Sequence, residues 1–339
     1  MHPGNERTAW RTRQRRAWWW RLAAANAVVV WVLWLVEAFV AERHWLTTLV
    51  TYLPQHAFGL PTLLLLLVAA RRRDWLLGGI SLATGAFLLV ALMGFTVPLP
   101  STPKPTGVRV RVMTYNIHHA MAGAAPVAAV IRQIDPDIVC LQEAGALRPW
   151  PDPVPRLQAL LPGWQVVRHG EAAIFTRYPV LSYHGQSVPN GGGRMFLTAQ
   201  VSLKGRRLSL VNTHLSTAAH PRSLARGFRC ALEELRQTTT TRNTQAAALL
   251  AVARRLPAPV VIAGDLNTPP RGLLYQQVTI EHRDLFAAAG LGLGSTFPAP
   301  LPLLRIDYLL ATRDLHAHRC FVPRLRASDH RPVVAEIDL

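Results

Sequence analysis

The stretch VVIAGDLNTPP, residues 260–270, carries the pattern that decides how this chain folds. Val260–Gly264 is a short apolar run rich in β-branched residues, which has the length and composition of a buried strand. It stops on Asp265-Leu266-Asn267 and then on two prolines, which cannot continue a central strand. A strand that ends on an acid and an amide delivers both groups to the edge of a sheet. Taken alone, such an ending is ordinary turn chemistry.

Outward from this stretch the ending recurs. Val108–Asn116 alternates apolar positions and closes on Asn116, and the buried run Asp137–Gln142 is followed by Glu143. Phe196–Leu203 and Arg207–Thr213 flank a Lys204-Gly205-Arg206 turn, which reads as a hairpin running into Asn212-Thr213-His214. Ile306–Ala311 carries Asp307, and Val333–Ile337 follows Asp329-His330. Ala172–Thr176 is a further strand, while Pro126–Ile134 and a long stretch ending near Leu256 are helical. Hairpins mixed with intervening helices predict an α/β (α+β) architecture of two β-sheets packed face to face with helices outside. Strand ends in one sheet converge, so the acids, amides and imidazoles are expected to meet in one cleft.

Such a set suits metal-assisted phosphoryl transfer. Oxygen ligands such as Glu143, Asp329 and the Asn116 carbonyl favour Mg²⁺ or Mn²⁺ over zinc. An acceptor such as Asp265 can orient or deprotonate water, and imidazoles can donate to phosphate oxygens as charge builds.

The segments MTYNI (113–117), DIVCLQE (137–143), NTHLS (212–216), GDLNTPP (264–270), RIDYLL (305–310) and SDHRPV (328–333) together resemble the ordered motif set of the endonuclease/exonuclease/phosphatase superfamily. Ala173-Ile174 through Tyr178-Pro179-Val180, and Thr296-Phe297-Pro298, fit as minor markers. The resemblance covers residues 108–339 and implies a DNase I-like four-layer sandwich. It also implies roles: Glu143 as the main metal ligand with Asn116 beside it, and Asp329 lining the metal site or a second one. Asp265 would activate water, Asn267 would fix the scissile phosphate, and His330, oriented by Asp307, would contact that phosphate. His214 is similar to the phosphate-facing histidine of the deoxyribonuclease and sphingomyelinase branches.

Other residues stay outside these motifs. His118, His119, His184, His220, His282, His316 and His318 read as surface or core. Arg194 and Arg305 are open between a phosphate contact and a solvated arginine. The Arg- and Thr-rich stretch between His214 and the Arg242–Gln245 helix, ending in Thr238-Thr239-Thr240-Thr241, reads as a surface insertion. Insertions of this kind weaken any transfer of substrate by analogy.

The first hundred residues differ in character. Leu22–Ala41, Leu46–Ala70 and Trp75–Val97 are apolar runs long enough to span a bilayer, giving three transmembrane helices over 22–41, 46–70 and 75–97. Pro54 and Pro61 leave the second run open to a re-entrant form. Arg7, Arg11, Arg13, Arg15, Arg16 and Arg21 precede the first run and Arg71–Arg73 separate the second from the third, with only Arg43 between the first and second. By the positive-inside rule the N-terminus and the Arg71 loop are cytoplasmic, so the C-terminal domain is expected on the outer side. Trp18–Trp20 and Trp75 suit interfacial positions. Glu37 and His56, ionisable groups inside apolar runs, read as lying within reach of the outer interface. Residues 98–107, PLPSTPKPTG, suit a stiff extended spacer.

The whole chain carries 37 basic against 19 acidic residues, which favours an anionic partner: nucleic acid, lipid headgroups or another phosphorylated molecule. Three cysteines, Cys140, Cys230 and Cys320, are too few for a disulfide framework, though Cys230 and Cys320 could pair outside the cytoplasm. The expectation is a membrane-anchored, Mg²⁺- or Mn²⁺-dependent phosphodiesterase or nuclease, with no protein partner. The alternative is a catalytically silent member that binds a phosphorylated ligand as sensor or scaffold.

Overall fold

The computed structural model describes residues 3–98, 107–218 and 226–339. Most of the spacer (99–106) and His220 lie outside the described residues.

Alternation in β1 (Arg109–Asn116) organises the C-terminal part. Val110 and Val112 face a core shared by both sheets, whereas Met113 and Tyr115 face helices on the other side. β1 pairs in parallel with β2 (Ile138–Gln142) and antiparallel with β12 (Val333–Asp338). The first sheet is completed by β3 (Gln165–His169), β4 (Ala172–Thr176) and β11 (His316–Phe321), in the order β11-β12-β1-β2-β4-β3. The second contains β5 (Val180–Ser187), β6 (Met195–Leu203), β7 (Arg206–His214), β8 (Val260–Asp265), β9 (Arg283–Asp284) and β10 (Asp307–Ala311), in the order β5-β6-β7-β8-β10-β9.

Val112, Cys140 and Ile174 of the first sheet meet Leu197, Leu210, Val261 and Leu309 of the second across the shared core. Helices α5 (Ala124–Ile134) and α6 (Pro153–Leu160) cover the outer face of the first sheet. Helices α7 (Phe228–Arg254) and α8 (Gly272–Glu281) cover that of the second, and the short α9 (Leu285–Ala289) lies at its edge. The result is the four-layer sandwich expected from the sequence.

The Thr238–Thr241 run is not a surface insertion. It lies inside α7, where Thr239 Oγ1 donates to Leu235 O (2.7 Å) and Thr244 Oγ1 to Thr240 O (3.2 Å). Bonding back to the preceding turn lets threonines stay helical despite their poor propensity. No disulfide forms: all three cysteines are free, with Cys140 and Cys320 buried.

The N-terminal part contains α1 (Pro3–Phe39), α2 (Trp45–Tyr52), α3 (His56–Arg72) and α4 (Trp75–Phe87), the last running into a wide turn at Leu88–Leu92. Two stretches, Arg16–Phe39 and Trp75–Leu92, are long and apolar enough to cross a membrane. The expected second span is not one helix: α2 and α3 meet at 61°. Leu53 is held extended ahead of Pro54, which supplies no N–H, so the helix stops there. Large apolar side chains such as Val28, Trp31, Leu64 and Trp75 stay exposed along α1, α3 and α4.

One end of this helical unit packs against the sandwich. Glu37, expected at an interface with water, is instead 2% exposed, accepts a hydrogen bond from Gln55 Nε2 (2.7 Å) and pairs with Arg271 Nε (3.4 Å). At the opposite end Arg16 pairs with Asp74 (3.0 Å), close to Arg71–Arg73.

Candidate active site

The strand registers bring the polar endings together. Parallel pairing sets Asn116 opposite Gln142 and His214 opposite Asp265, and antiparallel pairing starts β10 with Asp307 opposite Asp265. Gly264 lets β7 and β8 approach, since a Cβ there would stand 1.9 Å from Thr213 O. Beneath the site, Gln142 Nε2 donates to Asn212 Oδ1 (2.7 Å), and Asn212 Nδ2 to Leu141 O and Ala173 O (2.8 and 3.0 Å). These amides tie the two sheets together as a floor. Glu143, one residue beyond Gln142, and His214, two beyond Asn212, reach the cleft.

Asp265, almost fully buried, is the hub. Its Oδ2 accepts from Asn116 Nδ2 (3.1 Å) and lies 3.6 Å from His214 Nε2 and 3.8 Å from His330 Nε2. Its Oδ1 accepts from Asn267 N (2.8 Å). Burial and then the nearby Asp307 raise the Asp265 pKa above its ordinary 3.8, against the pull of His330 and His214. His330 Nδ1 bonds Asp307 Oδ2 (2.9 Å). Burial disfavours its charged form, but Asp307 and Asp265 outweigh that and push its pKa up to about 10.

Glu143 sits across the cleft, with Asn116 Nδ2 3.0 Å from its Oε1 and His214 Nε2 3.9 Å away. Glu143 (φ 51°) and Asn267 (φ 49°) both adopt the left-handed backbone region, which asparagine tolerates but which is costly for glutamate and typical of functional sites. Asn267 Nδ2 donates to Leu215 O (3.0 Å).

Two expected ligands stand differently from the expectation. The Asn116 carbonyl accepts from His118 N (3.0 Å), so its amide N–H₂, not its oxygen, faces Glu143 and Asp265. Asp329 is half-exposed; its carboxylate touches Ser328 Oγ (3.1 Å) and His118 Nδ1 (3.4 Å) and, among the described residues, no contact joins it to Glu143. The other six, Glu143, His214, Asp265, Asn267, Asp307 and His330, are brought together.

Sequence reasoning missed three neighbours. Glu171, in the turn before β4, bonds His214 Nδ1 from both carboxylate oxygens (3.2 Å each) and accepts from Glu143 N (3.0 Å). Its only sequence signal is an acid set immediately before a buried strand. His118 and His119, read as surface or core, line the site: His119 Nε2 is 3.4 Å from Glu143 Oε2. Both have positive φ, a turn that no sequence period announces. Arg194 donates from Nη1 to Gly191 O (3.3 Å), and its positive charge lowers the pKa of both Glu171 and His214. Arg305 is buried against Asp284 (2.6 Å), away from the phosphate chemistry.

The donor set fits a hard divalent cation. Glu143 offers carboxylate oxygens across the cleft from the Asp265–Asp307–His330 group, whose polar atoms lie within 4.8 Å of one another, and Asp307 Oδ1 is buried with no hydrogen-bond partner among the described residues. A carboxylate such as Asp265, whose pKa burial and a neighbouring carboxylate raise, is relieved by positive charge.

A family profile described as the Endonuclease/Exonuclease/phosphatase family matches residues 113–330. The chain belongs to that family. Solved structures of similar fold include an endonuclease/exonuclease/phosphatase from Bacteroides vulgatus (19% identity, TM-score 0.55, covering 68% of this chain and 99% of that one). They also include the mannosyl-6-phosphatase Bt3783 of Bacteroides thetaiotaomicron (18%, TM-score 0.55, covering 68% and 100%). A third is D. rerio TDP2 complexed with single strand DNA product (18%, TM-score 0.53, covering 68% and 99%). At these identities the likeness shows the fold. A comparison with curated proteins returned no match. Membership in the endonuclease/exonuclease/phosphatase family makes the chain a hydrolase of phosphoester substrates, and Glu143, Asp265 and His330 all lie within or at the edge of the matched span.

Proposed function

We propose that this chain is a membrane-anchored, divalent-metal-dependent phosphodiesterase whose catalytic domain faces the outer side of the membrane. The observation that carries the chemistry is the Asp265 carboxylate, held by Asn116 and Asn267 N and flanked by His214 and His330. In this reading Asp265 takes a proton from the attacking water, whose oxygen forms the new bond to phosphorus as the bond to the departing oxygen breaks. His330, kept protonated by Asp307, donates to a phosphate oxygen as charge accumulates there. His214, steadied by Glu171, presents Nε2 to the same group, and Asn267 orients it. Glu143 would hold Mg²⁺ or Mn²⁺, which neutralises phosphate charge when bound. Asp329 would line a second position at the rim.

The anchor reading draws on the two long apolar helices, the bent α2–α3 pair and their exposed apolar surface. The end of the helical unit carrying Arg16 and Arg71–Arg73 is opposite the end on which the sandwich sits, as a cytoplasmic and an outer end would be. A lipid-surface substrate is favoured over nucleic acid because α2, beside the apolar spans, touches Thr268 next to Asn267 (Tyr52 Oη to Thr268 Oγ1, 3.0 Å). The cleft therefore cannot stand far from headgroups, and the chain's excess of arginine suits an anionic surface.

The test is a panel assay of the full chain in vesicles with Mg²⁺, against phospholipids, DNA, RNA and simple phosphodiesters. Hydrolysis of phospholipid supports the full reading, and preference for DNA replaces it with a nuclease. Ligand binding without turnover of any member favours the silent sensor.

A further inference from the structure

The loop that carries Asn267 is held from both sides, and one of those sides is the N-terminal helical unit. Arg242, fully buried on α7, donates from Nη2 to Asn267 O (2.9 Å) and to Tyr52 Oη (2.6 Å), and from Nη1 to Ser216 O. Its guanidinium lies 5.0 Å over the Tyr52 ring. The Tyr52 hydroxyl also meets Thr268 Oγ1 at 3.0 Å. Tyr52 is thus hydrogen-bonded directly to the side chain of Thr268 and, through Arg242, reaches the carbonyl of Asn267 in two hydrogen bonds.

The far end of the same loop is bound in the same way. Arg271 donates to Thr51 O from Nε and Nη2 (2.9 and 2.7 Å), to Leu53 O (3.1 Å) and to Leu92 O (3.3 Å), and pairs with Glu37. Glu42 Oε2 accepts from Leu273 N (2.8 Å), filling a place at the start of α8 that a capping side chain would otherwise take. Gly272 (φ +79°) is required there, since a Cβ would stand 2.6 Å from that carboxylate. A hydroxyl, two carboxylates and three carbonyls of the N-terminal unit therefore satisfy groups of segment 266–273, and most of these groups are buried.

We propose that Tyr52 is a positioning residue of the active site: through Arg242 and Thr268 it sets the backbone of Asn267, so the N-terminal helices complete the catalytic centre as well as anchoring it. This rests on the hydrolase reading above. Asn267 occupies the left-handed region, which asparagine tolerates, and its carbonyl is held there by Arg242. Removing the hydroxyl frees that backbone without touching any group that meets the phosphate.

The experiment uses the full chain in nanodiscs and bis(p-nitrophenyl) phosphate, a soluble diester that needs no membrane proximity. Tyr52→Phe and Thr268→Val are compared with Thr268→Ser, which keeps the hydroxyl, and with Asn26→Ala. The last removes the Asn26–Thr62 bond (2.8 Å) inside the helical unit, far from the loop. The expected result is a kcat lower by roughly tenfold in the first two, on the scale by which a small displacement of reacting geometry slows a step, with KM and the Mg²⁺ requirement unchanged. Thr268→Ser and Asn26→Ala should turn over at the wild-type rate. Hydrogen–deuterium exchange of 266–273 should quicken in Tyr52→Phe and Thr268→Val alone. Unchanged kcat and unchanged loop exchange in Tyr52→Phe would overturn the proposal, as would an equal loss in Asn26→Ala. If the wild type cleaves no diester while loop exchange still quickens in Tyr52→Phe, the hydrolase reading falls and the contact between Tyr52 and the loop stands.

Discussion

Glu171 grips His214 Nδ1 with both oxygens at 3.2 Å while accepting the backbone N–H of Glu143, so one carboxylate orients an imidazole and the neighbouring acid together. Burial would raise the Glu171 pKa, but His214 beside it holds the carboxyl below its ordinary 4.5. Glu171→Gln keeps the size and removes the charge. It should cut kcat on the order of tenfold to a hundredfold, the usual cost of losing an outer-shell partner, and lower the His214 pKa. Steady-state kinetics and an NMR titration of His214 check both. An unchanged imidazole titration would sink the orienting role.

The Asp307–His330 contact gives a pH prediction with a definite sign. The folded pKa of His330 is pushed up to about 10 from an ordinary 6.5, so its stabilising contribution is complete below 6.5 and is lost as pH rises through about 10. His330 should stay protonated at pH 8 in the wild type and become neutral there in Asp307→Asn. Because Asp265 and His330 interact, the observed steps belong to the pair. A His330 resonance that titrates near its ordinary value in the wild type would contradict the arrangement.

Glu143 and Asp265 should separate metal binding from turnover. Glu143→Ala weakens Mn²⁺ affinity, measured by calorimetry or electron paramagnetic resonance. Asp265→Asn leaves affinity nearly intact and costs on the order of 10² to 10⁴ in rate, as loss of a base does. The reverse pattern would exchange their roles.

The Glu37–Arg271 pair gives a stability prediction. Arg271→Leu strands a buried carboxylate and frees three carbonyl partners, Thr51 O, Leu53 O and Leu92 O. Thermal unfolding of the full chain in detergent should show a loss of about 3 kcal/mol or more, the scale for breaking a buried ion pair by removing one partner. A loss under about 0.5 kcal/mol, typical of a surface change, would mean the junction contributes nothing.

Much of the sandwich was legible because alternation marks β1, short buried apolar runs mark β2 and β8, and the Lys204-Gly205-Arg206 turn marks the β6–β7 hairpin. The cleft was legible because parallel and antiparallel pairing sends several strand ends to one edge, as at His214, Asp265 and Asp307. What stayed hidden depends on contacts distant in sequence. Glu171 matters only once β4 lies beside β2, and His118 and His119 only once three positive-φ residues turn them back toward Glu143. Glu37 read as an interfacial acid because nothing local reveals Arg271 as its partner. The threonines of α7 read as a loop because propensity is a weak guide where hydroxyls can bond back into the helix.

Metal-dependent phosphodiester hydrolysis centred on Asp265 is open to a single decisive assay. Full-length protein in phospholipid vesicles is assayed for release of phosphorylated headgroup with Mg²⁺, after exhaustive chelation, after Mg²⁺ is returned, and with Asp265→Asn. Release is expected with Mg²⁺, with none after chelation, recovery on return of the ion, and loss of activity in the variant. Full release after chelation, or an Asp265→Asn protein as active as the wild type, would contradict it.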